Sequence, residues 1–218
     1  MNAPMLAPVA PGEKAPDFAL PSIDGKGTVS LDDYRGKAPL FLALFVGLWC
    51  PFCRRAIAEI SKREPVLKQN GIETLCVVAT EPDNAQLYFK YRPTTLRLAA
   101  DPECSTHRAY RLPKPEPTPD LMQALQTVEI NPDNVLPKPL PIAQAAEAIA
   151  KLDGYANNER DNSDVQKQWP QLKGQFLIDR DGMVRWRNIE CETDGLAGIG
   201  KFPSTEEIVS VARTVLRS

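Results

Sequence analysis

The chain has 218 residues, 43% hydrophobic and 25% charged, and its 26 basic and 28 acidic side chains leave a formal net charge of −2. A chain of this length buries roughly 70% of the surface its unfolded form exposes, so a core forms without disulfide staples. The even charge balance does not suggest a surface built for nucleic acid or anionic lipid. The longest uncharged stretch, Ala38 to Cys53, has 16 residues and contains Pro39, Gly47 and Pro51, short of the about 20 apolar residues that cross a bilayer.

Residues 1–12 carry neither the basic nor the apolar region of a secretory signal. They are expected to be a flexible lead-in to a cytoplasmic protein, with residues 13–218 forming one domain. Leu40 to Val46 (LFLALFV) is a continuous apolar run, the pattern of a strand covered on both faces. Pro51 to Gln69 follows as a helix, with Ala56, Ile57, Ile60 and Leu67 at helical spacing, Pro65 as a kink or end point and Asn70-Gly71 as the stop. Ile72 to Ala79 is a second buried strand. Asp83 is expected to cap a helix that runs to Tyr91. Arg97 to Ala100 reads as a short strand and Glu103 to Tyr110 as a short helix.

Eight of the 21 prolines fall between Arg111 and Pro141, marking an insertion at about 111–170 that is too long for an ordinary connection. Within it Ile142 to Leu152 is helical by composition, with Gly154 as its stop, and another helix is expected near Pro119 to Gln126. Gln175 to Asp179 and Met183 to Ile189 flank Asp181-Gly182, a strong hairpin signal. Ser204 to Arg217 opens on a capping box and is the final amphipathic helix. This order gives an α/β fold with a central mixed sheet and helices on both faces.

The most informative residues are Trp49-Cys50-Pro51-Phe52-Cys53-Arg54-Arg55, placed where a buried strand turns into a helix. Pro51 suits the first helical position, because its missing N–H would be unpaired there in any case. Cys50 then falls at or near the N-cap, where free N–H donors and the positive end of the helix dipole favour a thiolate. Arg54 and Arg55 are expected to add positive charge nearby. Cys53 shares a helix face with Cys50, so the pair can close a disulfide within one turn. The chemistry is thiolate attack, mixed disulfide, then resolution. A metal site needs about four ligands, and there is one His and no second Cys-x-x-Cys. Nucleotide-binding motifs are absent too, so no metal or other cofactor is expected.

Several further segments make the chain resemble the thioredoxin superfamily, specifically the redoxin branch of alkyl hydroperoxide reductase and thiol-specific antioxidant (peroxiredoxin-like) proteins. These are Gly12-Glu13-Lys14-Ala15-Pro16-Asp17-Phe18, Leu31 with Tyr34-Arg35-Gly36-Lys37, Asp101-Pro102-Glu103 through Tyr110, and Phe176-Leu177-Ile178-Asp179-Arg180-Asp181-Gly182. The resemblance implies a thioredoxin fold and one of two catalytic variants. Peroxiredoxins carry Pro, Thr and Arg at the positions that here are Ala43, Gly47 and Lys173. Thioredoxin-like disulfide reductases carry a cis-proline at about the place of Lys173, with Pro170 three residues away, and often an acid at the position of Leu44. Trp49 and Phe45 match their pattern.

The leading expectation is a thiol-disulfide oxidoreductase in which Cys50 attacks and Cys53 resolves, supported by Trp49, Pro51, Arg54 and Lys173. One alternative is a peroxiredoxin-like peroxidase that reduces hydrogen peroxide or alkyl hydroperoxides through Cys50. Another is a redox-responsive binding protein without turnover. The expected partner is a dithiol or disulfide protein, or a small-thiol electron donor; nucleic acid and membrane are not expected. Cys76 reads as a small core hydrophobe, Cys104 as a bystander, and Cys191 as a thiol that Glu190 and Glu192 would hold protonated. His107 is expected to be solvated or hydrogen-bonded. The insertion is either a lid beside the dithiol or a plain surface elaboration.

Overall fold

The structure, a computed structural model, describes residues 7–215. A short antiparallel pair, β1 (Ala19–Pro21) and β2 (Thr28–Ser30), precedes β3 (Leu40–Phe45), α1 (Pro51–Gln69), β4 (Glu73–Val78), α2 (Pro82–Tyr91), β5 (Arg97–Ala100) and α3 (Ser105–Ala109). The insertion contributes α4 (Pro119–Thr127), the pair β6 (Glu129–Ile130) and β7 (Leu140–Pro141), α5 (Ile142–Asp153) and α6 (Glu159–Gln168). The hairpin β8 (Gly174–Ile178) and β9 (Val184–Ile189) and the helix α7 (Thr205–Val215) complete the described chain.

Five strands form one mixed sheet in the order β5-β4-β3-β8-β9. β3 and β4 are parallel, as are β4 and β5, whereas β8 runs antiparallel to both β3 and β9. The continuous apolar run of β3 is explained by its alternation. Phe41, Ala43 and Phe45 pack with Ile57 and Ile60 of α1, Ile149 of α5 and Ile208 of α7. Leu40, Leu42 and Leu44 point the other way, toward Leu31, Tyr34, Tyr110 and Phe176. Tyr110 and Phe176 pack with ring centroids 4.8 Å apart, and the Tyr110 hydroxyl donates to the Pro16 carbonyl at 3.1 Å.

That second face is covered in part by the segment expected to be a free lead-in. Val9 is buried, its N–H donates to the Tyr110 carbonyl at 3.2 Å, and the Gly12 N–H donates to the Val184 carbonyl at 2.8 Å. Residues 7–12 are therefore docked by the Val9 side chain, main-chain hydrogen bonds and the Arg187 guanidinium, which donates to the Pro8 and Val9 carbonyls; residues 1–6 lie outside the described residues.

Two local expectations change as well. Pro65 does not end α1 but sits inside its last turns at an exposed position. The stop is at Asn70-Gly71, with Gly71 at φ 75°. α2 takes Glu81 as its N-cap and Pro82 at its first position, so Asp83 lies within the first turn rather than capping it. Among the described residues, no helix is long and apolar enough to cross a membrane.

Candidate functional site

β3 delivers the chain through Val46 to Trp49 and directly into α1. Cys50 is the N-cap, with φ −82° and ψ 114°, and Pro51 occupies the first helical position. The Cys50 carbonyl accepts from the N–H groups of both Cys53 and Arg54 at 3.1 Å, closing the first turn. Both cysteines are free thiols, Cys53 fully buried and Cys50 5% exposed.

The two thiols are pushed in opposite directions. Burial opposes ionisation of Cys50, but the Cys53 thiol donating to its sulfur, the Lys173 ammonium and the Cys53 N–H together outweigh it, and the Cys50 pKa is lowered to about 7. Burial, the hydrogen bond it gives to Cys50 and the adjacent negative sulfur all hold Cys53 protonated, well above the ordinary thiol range. One turn of helix thus holds a nucleophile and a protonated partner.

Lys173 is the cation nearest this chemistry. It lies just outside the first residue pair of the hairpin, Gly174 with Ile189, so the strand ends bring it opposite Glu190. Its ammonium pairs with the Glu190 carboxylate, and both side chains are buried. The Glu190 N–H donates to the Lys173 carbonyl at 3.0 Å, and the Gly200 N–H donates to Glu190 at 3.3 Å. The Lys173 Nζ lies 5.5 Å from the Phe52 ring centroid and 5.8 Å from that of Phe202. Burial works against its charge, but Glu190 and then the two cysteines raise its pKa, so it stays an ammonium.

Arg54 is placed differently from its expectation. Its guanidinium is turned away from the sulfur: it donates to the Leu48 carbonyl at 2.7 Å and the Trp49 carbonyl at 3.2 Å, and grips Asp153 at the end of α5 at 2.8 and 3.2 Å. The Tyr155 ring lies under it at 4.5 Å. Arg54 therefore braces the loop before the dithiol, because the carbonyls of that loop are the acceptors within its reach. Arg55 faces Asp133 at 3.7 Å and likewise is not among the groups acting on the Cys50 thiol.

A second brace, from Gln168 at the end of α6, was not anticipated. Its Oε1 accepts from the Gly47 N–H at 2.8 Å and from the Trp49 indole Nε1 at 2.9 Å, while its amide nitrogen donates to the Ala79 carbonyl. Leu48 is held too, its N–H donating to the Thr80 hydroxyl at 2.9 Å. The resulting loop has no space at Gly47: a Cβ there would meet the Trp49 ring at 2.5 Å and Gln168 Oε1 at 2.9 Å.

Cys50 opens into a groove of about 360 Å³, whose lining includes Trp49, Pro51, Phe52, Trp169, Pro170, Lys173 and Glu190. The Trp169–Pro170 peptide is cis, so the cis-proline that the resemblance placed near Lys173 stands three residues earlier. Cys50, Cys53, Trp49, Pro51 and Lys173 are brought together, while Arg54 acts from behind the loop. Gln168, Glu190 and Pro170 complete the site. The groove's other wall comes from the insertion, through Leu121, Met122 and Leu125 of α4 and Ile142, Ala143 and Ala146 of α5.

The remaining candidates lie apart from this chemistry. Burial pushes Cys76 upward inside β4, and burial followed by Asp101 takes Cys104 up to about 12. Burial and then Glu190 take Cys191 up to about 12. His107 is neither solvated nor hydrogen-bonded: it is fully buried, neither ring nitrogen has a partner, and burial lowers its pKa to about 4. No group of three potential metal ligands occurs among the described residues.

The profile of the AhpC/TSA family matches residues 11–187. The chain belongs to the AhpC/TSA family. Over 103 residues it is 34% identical to the protein named thiol-disulfide oxidoreductase ResA of Geobacillus thermodenitrificans, covering 47% of this chain and 58% of that protein. Over 74 residues it is 42% identical to the protein of the same name from Geobacillus kaustophilus, covering 34% of this chain and 41% of that protein. The chain thus spans about half the length of these relatives.

Among solved structures, the chain is similar to peroxidoxin BcpB of Mycobacterium tuberculosis, with a TM-score of 0.58 at 11% identity over 95% of this chain and 98% of the other. It is also similar to the reduced 2-Cys peroxiredoxin of Plasmodium vivax, with a TM-score of 0.58 at 18% identity over 94% and 81% of the two chains. These likenesses show the thioredoxin fold of this AhpC/TSA member.

Proposed function

We propose that this AhpC/TSA protein is a thiol-disulfide oxidoreductase, with Cys50 as attacking thiolate and Cys53 as resolving thiol. The observation that carries the reading is the placement of two free thiols in one helical turn, Cys50 at the N-cap and Cys53 buried behind it, an arrangement that favours the Cys50 thiolate and keeps Cys53 protonated. The Cys50 sulfur attacks one sulfur of the incoming disulfide and expels the other as a thiolate. Cys53 then gives up its proton and attacks Cys50, which closes the Cys50–Cys53 disulfide and releases the second substrate thiol. Electrons run the other way when an oxidised chain meets a dithiol, so the partner is a dithiol or disulfide protein, or a small thiol.

The relatives named as thiol-disulfide oxidoreductases favour this reading over the peroxidase alternative, and so does the loop. The position where the resemblance asks for a peroxide-binding Thr is Gly47, and the Trp49 ring leaves no space for a side chain. A peroxide at Cys50 would lack that hydroxyl donor in its transition state.

The test is the reduction of insulin disulfides with dithiothreitol as the electron source, run beside hydrogen peroxide consumption. Cys50→Ser abolishes insulin reduction, and Cys53→Ser accumulates a mixed disulfide at Cys50. Insulin reduction that survives Cys50→Ser, or rapid Cys50-dependent peroxide consumption, overturns the proposal.

A further inference from the structure

We infer that the groove beside Cys50 selects disulfides carried in extended peptide segments whose flanking side chains are apolar and uncharged. This inference rests on the dithiol reading above and names its substrate class.

The first ground is the wall supplied by the insertion. None of the residues of α4 is buried, yet Leu121, Met122 and Leu125 line the groove. Met122 is 47% exposed at the groove, so its thioether is available to an incoming chain and adapts to different side chains. Leu196, Ile199 and Leu172 contribute apolar surface as well. At about 360 Å³, the space is on the scale of ordinary ligand sites.

The second ground is charge. The charged side chains lining the groove are Lys173 and Glu190, and they neutralise each other. A carboxylate or ammonium next to the substrate cysteine would lose water and find no free partner of opposite sign. The third ground is access: Cys50 is 5% exposed between the walls, so a substrate sulfur must enter the groove to meet it.

The reaction is a two-electron exchange: one substrate S–S bond breaks, the Cys50–Cys53 bond forms, and the two protein thiols pass two protons and two electrons to the peptide disulfide, which leaves as two peptide thiols. The experiment uses prereduced full-length protein in single turnover with three disulfide-linked peptide dimers of equal length, whose cysteine is flanked by Leu and Phe, by Glu, or by Lys. The apolar dimer is expected to react at least about tenfold faster than either charged one, the scale of discrimination that an apolar pocket supplies. Met122→Glu and Leu121→Glu, on the weakly buried α4, are expected to bring that ratio toward one and, through their new charge, to raise the relative rate of the Lys dimer.

Equal rates for the three dimers overturn the inference while leaving the dithiol reading intact. So does an apolar preference that both variants leave unchanged. Absence of Cys50-dependent reduction of every dimer and of insulin removes the dithiol reading itself, and the inference with it.

Discussion

Gln168 and Trp49 are 119 residues apart in the chain, and a hydrogen bond of 2.9 Å joins the indole Nε1 of one to the amide oxygen of the other. The same oxygen accepts from the Gly47 N–H, so one side chain fixes both the backbone ahead of the nucleophile and the aromatic wall beside it. Gln168→Leu removes these acceptors and leaves the Gly47 N–H unpaired in a buried place, at a cost of about 1–3 kcal/mol. The expected result is a lower melting temperature, altered Trp49 fluorescence, and a rise in KM larger than the fall in kcat for disulfide substrates. Unchanged fluorescence and kinetics in Gln168→Leu would exclude a positioning role.

Lys173 gives a pH-dependent test. Alkylation of Cys50 by iodoacetamide follows the thiolate, so the rate should rise with pH and pass its midpoint near 7. Removing Lys173 alone strands a buried carboxylate, so the useful variant is Lys173→Met combined with Glu190→Gln. In that pair the Lys173 attraction that favours the thiolate and the weaker opposing charge of Glu190 are both gone, and the net effect should move the midpoint up toward the ordinary thiol value of about 8.5. A midpoint that stays in place would show that the helix terminus and Cys53 suffice.

Gly47 offers a steric test. Gly47→Thr would restore the hydroxyl associated with peroxide-binding relatives, but its Cβ would press on the Trp49 ring and Gln168. Overpacking of this kind costs about 1–3 kcal/mol. Thermal denaturation should show a destabilised protein with no gain in peroxide consumption. A variant as stable as the parent would contradict the loop geometry.

Arg54 should prove structural rather than electrostatic. Its side chain is almost wholly buried and carries both Asp153 and the loop carbonyls. Arg54→Met leaves the Leu48 and Trp49 carbonyls without their side-chain donor and Asp153 with only the Tyr155 N–H, at a cost of about 3 kcal/mol. The Cys50 alkylation midpoint, measured on the protein that remains folded, should shift little. A large upward shift would return Arg54 to the role of thiolate-stabilising cation.

Much of this fold is legible in the sequence because its signals are apolar and periodic. β5 and the extent of α1 follow from such runs, and Gly154 ends α5 in the left-handed conformation that its glycine suggests. α6 was illegible for the opposite reason. Its buried residues are Asp161, Asp164 and Gln168, a helical spacing written in polar side chains that an apolar pattern search passes over. Asp161 is satisfied there by the Tyr155 hydroxyl at 2.5 Å and the Asn84 amide at 3.2 Å. The one available signal was the capping box of Asn158 and Asp161.

Within the site, the nucleophile and its partner were readable from two cysteines around a proline. Trp49 and Pro51 were readable beside them, and Lys173 through the family resemblance; Gln168 and Glu190 were not, since each acts through a contact that only the fold creates. Arg54 shows the converse limit: a neighbour in sequence by four residues can point its charge elsewhere when backbone carbonyls lie closer.

The distribution of thiol acidity has a practical consequence for chemical labelling. Cys53, Cys76, Cys104 and Cys191 are all pushed toward the protonated form, and only the Cys191 residue is more than marginally accessible. A brief treatment of the reduced protein with a small electrophile at neutral pH should therefore deposit one adduct per chain, at Cys50. A small label can thus be installed inside the groove without removing any other cysteine.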